Sequence, residues 1–223
     1  IDEFGVRARV GIEGSDKEKG LEAAYRAIEP VITTSGANAG FIRNDAHLLL
    51  IIVSDEEDCS DRGALEGQAA TTCYDSDDVL VPVDDFVEDF QRLKANPESV
   101  QLGAIIGQKS STCEDTAVGS RYRRATKLMG GLSSDICDPD WSGVMEELGL
   151  NAVGIRTAFV LNSAPQAGTL GVTIDGEEVE ESDVNGWTYD EEGCLLQFHG
   201  GAVPPRDSEI LAEYTIQSGA TCE

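Results

Sequence analysis

The chain has 223 residues, enough for one full hydrophobic core and a small second module. Lys and Arg number 16 against 42 Asp and Glu, a formal net charge of -26. That balance argues against nucleic acid, whose phosphates need Lys and Arg, and against anionic membrane surfaces. It fits a chain that stays soluble in high salt or one that collects cations.

In chain order, Lys17–Glu29 (KEKGLEAAYRAIE) places Leu21, Ala24, Tyr25 and Ile28 at helical spacing, and Pro30 stops it. Ser15 precedes it with Glu18 three residues on, a capping-box pattern. His47–Val53 is a nearly continuous apolar run of the kind found in a strand buried on both faces. A polar, cysteine-bearing loop follows. Val83–Lys94 then sets Val83, Phe86, Val87, Phe90 and Leu93 on one helical face. Val100–Ile106 (VQLGAII) reads as the next buried strand, and Arg121–Met129 as a helix closed by Gly130 and Gly131. Trp141–Leu148 is another helix and Val153–Leu161 another strand. This alternation is the signature of a Rossmann-like parallel sheet with flanking helices, an α/β fold.

The pattern changes after about Asn162, which divides the chain into an α/β part, 1–161, and a small β-rich extension, 162–223. Thr169–Asp175, Trp187–Tyr189, Cys194–Phe198 and Glu209–Ile216 are strand candidates for an antiparallel module. The turn signals between them are Asp175-Gly176, Asn185-Gly186 and Pro204-Pro205.

No segment approaches the length of a membrane span, and the first residues are not a signal peptide. The opening Ile1-Asp2-Glu3-Phe4 has neither Met nor leader and reads as a processed or incompletely represented polypeptide. Cys59, Cys73, Cys113, Cys137, Cys194 and Cys222 form no C-x-x-C pair, and only His47 and His199 accompany them, which argues against zinc. An even number of well-spread cysteines reads as disulfides in an oxidising compartment, against the alternative of buried cytosolic thiols. Six cysteines allow about 15 pairings, and sequence does not choose among them. Sequential pairing (59 with 73, 113 with 137, 194 with 222) would close three local loops.

The strand His47–Val53 runs directly into Ser54, Asp55, Glu56, Glu57, Asp58 and, past Cys59, Asp61. In open α/β sheets the working crevice lies outside the carboxyl ends of the strands, and oxygen-only side chains there suit Mg²⁺ or Ca²⁺. The plain alternative is a solvated acidic loop. Gly103–Ser110 has the wrong spacing for a phosphate loop. Asp138–Gly143 begins like a calcium loop but has Gly149 at the twelfth position; a helix start with Asp138 as cap and Pro139 in the first turn explains the same residues. There is no G-x-S-x-G elbow, and no pair of carboxylates stands out, so nothing argues for an enzyme.

The succession GIEGSDKEKGLEAAYRAI, FIRNDAHLLLIIVSDEEDCS, VQLGAIIG and RYRRATKLMGGLSSDICDPDW resembles the latter part of a von Willebrand factor A domain. The likeness is to the secreted or lipoprotein versions from bacteria, with similar S-D-E-x-D-C-S and G-G-x-x-x-x-I-C segments. GVTIDGEEVEESDVNGWTYDEEGCLLQF, followed by EYTI, is similar to the β extension those proteins often carry. The resemblance implies a divalent cation at the carboxyl edge of the sheet, Mg²⁺ or Ca²⁺. Its ligands would come from a D-x-S-x-S loop, from a second loop, and from an Asp after a later strand. Asp55 matches that Asp, and Ser15 and Glu18 are the donors on offer in the second loop, though helix capping explains the same two residues. The D-x-S-x-S loop is absent, as are the first strands of the sheet, so the missing N-terminal half is expected from the same polypeptide or another chain. A half sheet would expose an unpaired strand edge and an uncovered apolar face.

The expected function is therefore a non-enzymatic adhesion or protein-interaction module, secreted, periplasmic or on the cell surface of a bacterium. A carboxylate from the protein partner would fill the open position on the cation. The rival is a structural filament, coat or envelope component with calcium-stabilised acidic loops.

Overall fold

The computed structural model describes residues 5–6, 9, 14–29, 33–44, 46–75, 77–191, 193–205, 208–219 and 222. Three parallel strands, β1 (Leu48–Ser54), β2 (Val100–Ile106) and β3 (Ser133–Asp135), lie in the order β1-β2-β3. Leu48 is level with Val100, Ser54 with Ile106, and Ile106 with Asp135. All seven residues of β2 are buried, which is why VQLGAII shows no polar alternation.

One face of the sheet carries three helices: α1 (Gly20–Ile28), α2 (Val83–Gln91) and α3 (Ser120–Leu128). Leu21 and Ile28, Phe86 and Phe90, and Tyr122 and Ala125 pack there against Leu48, Ile52, Leu102 and Ala104 in one core. The opposite face receives α4 (Ser142–Ala152), whose Leu148 occupies the space that a side chain on Gly103 would need. That single helix leaves β1 partly bare: Ile51 is 47% and Val53 54% exposed. β1 is therefore buried on one face rather than two, because α4 sits over β2, and among the described residues β1 is also an edge strand of this sheet.

The run Val153–Leu161 departs from expectation. Gly154, with φ at +81°, closes α4, and only Ala158–Val160 is extended, as β4. It pairs antiparallel with β8 (Leu195–Phe198) and takes no part in the parallel sheet. With β7 (Trp187–Asp190) these strands form a sheet in the order β4-β8-β7. A second sheet, β6-β5-β9, consists of β5 (Gly171–Ile174), β6 (Glu177–Val179) and β9 (Ile210–Glu213). Leu161, Val172, Trp187, Leu196 and Phe198 form the core of this β-rich part. The acid-rich β6 gives no strand signal of its own. It is placed by the turn Asp175-Gly176, both residues at positive φ, which folds it back on β5.

The chain is thus a mixed α/β structure with a small antiparallel module. The cysteines pair sequentially: Cys59–Cys73, Cys113–Cys137 and Cys194–Cys222. Three disulfides fit a compartment outside the reducing cytoplasm. Among the described residues no helix is long and apolar enough to cross a membrane.

Helix α3 ends where Gly130 takes φ +63° and the Gly131 N–H reaches the Thr126 carbonyl at 2.9 Å. A Cβ on Gly131 would lie 1.9 Å from the Leu102 carbonyl oxygen, so backbone would have to move. Gly131→Ala is expected to destabilise the fold by about 3 kcal/mol or more in urea unfolding, at the severe end for single substitutions.

Candidate functional site

Helix α1 begins at Gly20 without a side-chain cap from its own segment. Its first N–H groups are met from elsewhere in the chain. Gly20 donates to the Tyr122 hydroxyl at 3.1 Å, Leu21 to Asp58 Oδ1 at 3.1 Å, and Glu22 to Ser60 Oγ at 2.9 Å. Asp58 is fully buried and also accepts from the Ser60 hydroxyl at 2.7 Å and from Arg121 Nε at 3.1 Å. Its neighbour Glu57 performs the same task for α3, accepting from the Ser120 N–H at 2.9 Å and the Arg121 N–H at 3.0 Å. Burial pushes the Glu57 carboxyl above its usual range, against the pull of those N–H groups and Arg121. The Tyr122 hydroxyl is likewise pushed up, by burial and by the Asp58 charge.

Asp61 organises the next turn, accepting from the Gly63 and Leu65 N–H groups at 2.9 and 2.8 Å and pairing with the Lys19 ammonium. Burial alone would raise its pKa. Lys19 and the two N–H groups outweigh that and hold it below 3.8. Glu56 accepts from the Tyr74 hydroxyl. Most of the acidic cluster is therefore built into the fold, as caps and ion pairs rather than as a solvated run.

Asp55 is the exception. It is exposed, its carboxylate has no hydrogen bond among the described residues, and only its backbone carbonyl is engaged, by the Ala117 N–H at 2.7 Å. Glu18 reaches the same end of β1, where its Oε2 accepts from the Ser54 hydroxyl at 2.7 Å. Ser15 accepts from the Lys17 N–H at 3.1 Å and lines an open cleft with Lys17, Lys19 and Glu22. The capping-box alternative for Ser15 and Glu18 fails, because Asp58 and Ser60 fill that role from across the sheet edge.

The geometry thus brings Glu18 beside the Asp55 strand end and leaves Ser15 among lysines. Two carboxylates fall well short of the oxygen shell of Ca²⁺ and would hold Mg²⁺ only with water or further donors completing its octahedron. Among the described residues no three His, Cys, Asp or Glu side chains gather into a metal-holding group. The donors present fit part of a site, not a whole one.

The other sequence candidates resolve structurally. Gly103 lies within β2, and Gly107 packs against the Ala117 carbonyl, so neither belongs to a phosphate loop. Helix α4 starts at Ser142 rather than Pro139. The Asp140 carboxylate accepts its first N–H at 2.9 Å, while Asp138 accepts from the Asp140 N–H. His199 sits between Thr188 (2.8 Å to Oγ1) and Glu147 (3.3 Å to Oε1), and Glu147 also accepts from Gln197 at 2.7 Å. This polar bridge joins α4 to the β-rich part. Burial there raises the Glu147 pKa, with His199 opposing it.

Comparison with protein-family models, with curated proteins and with solved structures finds no match to this chain.

The division of labour among the acids is testable. Asp58→Asn leaves Arg121 facing a neutral amide and is expected to cost about 3–5 kcal/mol in urea unfolding, whereas Asp55→Asn should change stability by less than about 0.5 kcal/mol. Because the folded pKa of Asp61 is depressed, its contribution is complete above the unfolded value near 4 and is lost as pH falls through the folded value below 3.8. Glu57 has the opposite sign and costs stability as pH rises above 4.5. Asp61→Asn should therefore flatten the acid limb of the stability curve below about pH 4, measured by urea unfolding at fixed ionic strength.

Proposed function

We propose that this chain is part of an extracytoplasmic protein-interaction module of von Willebrand A type, without enzymatic activity. The observation that carries this reading is the open flank of β1. Among the described residues β1 is an edge strand that ends in an uncommitted aspartate, and its apolar residues Ile51 and Val53 face solvent. A strand with unpaired backbone groups and bare apolar side chains is a template for further pairing. The additional strands would come from elsewhere in the polypeptide or from another chain, and would bring the remaining oxygen donors to Asp55 and Glu18.

The divalent cation, Mg²⁺ or Ca²⁺, would then be held jointly. Asp55 is suited to contribute because no described residue competes for its carboxylate. Glu18 is held at the same edge by Ser54, and Ser15 would need the loop before α1 to shift. A carboxylate from the partner protein is the chemistry that an exposed, incompletely coordinated hard cation would accept. The three disulfides favour a secreted, periplasmic or cell-surface location.

The test is calorimetric titration of the chain with Mg²⁺ and Ca²⁺, alone and with an added polypeptide carrying a D-x-S-x-S strand. Alone, the chain is expected to bind either cation only weakly. With the added strand, affinity should rise at least tenfold and fall back in Asp55→Ala. Tight binding by the chain alone, unaffected by Asp55→Ala, would overturn the assignment. Calcium-driven self-association would favour a structural filament or envelope role instead.

A further inference from the structure

The three disulfides stand in different surroundings. Cys59 and Cys73 are 2% and 1% exposed, and Cys194 is fully buried with Cys222 half-buried beside it. Cys113 is exposed and Cys137 half-buried, so the bridge between them lies at the surface. It joins the loop after β2, residues 107–119, to the turn that follows β3. Disulfide exchange proceeds by attack of a thiolate on one sulfur, so access decides which bridge reacts.

The base of that loop is held without the bridge. The Gly119 N–H donates to the Gly107 carbonyl at 3.0 Å, and the Ala117 N–H to the Asp55 carbonyl at 2.7 Å. The tip is tied across to β3 by the bridge and by the Ser111 hydroxyl, which donates to Asp135 Oδ1 at 2.6 Å. The Cys137 N–H meets the same Asp135 oxygen at 2.9 Å. Opening the bridge therefore loosens the tip and the turn after β3, and leaves the sheet and the base of the loop in place.

The surrounding charge selects the reductant. Glu114 and Asp115 follow Cys113, and Asp135 and Asp138 flank Cys137, against Lys109 in the same loop. Acids so placed repel an anionic thiol such as glutathione, while a neutral or cationic thiol meets no such barrier.

We propose that Cys113 is a thiol-exchange site, at which a neutral or cationic dithiol opens the Cys113–Cys137 bridge and frees the tip of the β2–α3 loop. A thiolate of the dithiol attacks Cys113 Sγ, and the S–S bond breaks with Cys137 leaving as a thiolate. The Thr116 hydroxyl, 3.0 Å from Cys113 Sγ and 3.9 Å from Cys137 Sγ, is placed to donate to it. The second thiolate of the dithiol then displaces Cys113 from the mixed disulfide. Two electrons pass to the protein, the dithiol ends as a cyclic disulfide, and the protons of its two thiols end on the two cysteines. This site does not rest on the cation reading, and no cation enters its test.

Treatment of the intact chain with dithiothreitol, followed by alkylation and peptide mass mapping, gives the order in which the bridges open. Cys113 and Cys137 should be labelled about tenfold faster than the other four cysteines, or more. At equal thiolate concentration and low salt, cysteamine should open the bridge several-fold faster than glutathione, and high salt should shrink the difference. Hydrogen exchange should then quicken in residues 108–116 and 135–138 and stay unchanged in β1 and β2. The double variant Cys113→Ser, Cys137→Ser should show the same pattern without any thiol. Labelling of either other bridge first, or at the same rate, would overturn the site. Unchanged exchange in the opened protein would overturn the release of the tip, and equal rates for the two thiols at low salt would overturn the reductant class.

Discussion

The Asp58 carboxylate lies wholly out of solvent, where it receives the Leu21 N–H, the Ser60 hydroxyl and the Arg121 guanidinium. A buried charge of this kind is tolerable only when its lone pairs are filled, and here three separate segments fill them. The consequence for α1 is direct. Nine residues make too short a helix to persist by itself, and this one lacks a cap of its own. Its amino end is completed by the loop that follows β1, so the helix depends on that loop being in place. Glu57 extends the same logic to α3, and the two consecutive acids thereby fix the amino ends of two helices on one face of the sheet.

The distribution of helices then sets which surfaces remain available. Three helices cover one face of β1 and β2, while α4 alone covers the other, with Leu148 seated over Gly103. β2 is sealed on both sides, and β1 is left with a bare flank. The β-rich part meets α4 at mid-helix, where Glu147 faces His199 and Gln197. Further along the chain β4 pairs with β8 and stays outside the parallel sheet.

Much of this was readable from local pattern. The apolar faces of α1 and α2, the unbroken run of β2, the glycine pair after α3 and the turn at Asp175-Gly176 each announce themselves within about ten residues. What escaped reading depends on distance along the chain. Asp58 and Ser60 look like two more polar residues in an acidic loop, and their role as caps for a helix 37 and 38 residues earlier has no local signature. Ser15 and Glu18 carry such a signature, yet the helix starts later, at Gly20, where Asp58 and Ser60 accept its N–H groups and Glu18 is engaged by Ser54. Val153–Leu161 is β-like along its whole length, yet hydrophobic pattern alone does not say which sheet a strand will join. The short β6 is the reverse case, an acidic stretch made into a strand by the turn before it. At the candidate cation edge, Asp55 was identified by its place after a strand. That its neighbours would be consumed internally was not apparent, since composition counts charges without saying which ones are spent.

Asp55 is separated from Glu57 and Asp58 by only a few bonds, and its own carbonyl is fastened to Ala117 in the loop leading to α3. A partner pulling on that carboxylate would therefore not peel a single strand end. Tension would be shared with α1, α3 and the segment stapled by Cys59–Cys73, which the same few residues tie together.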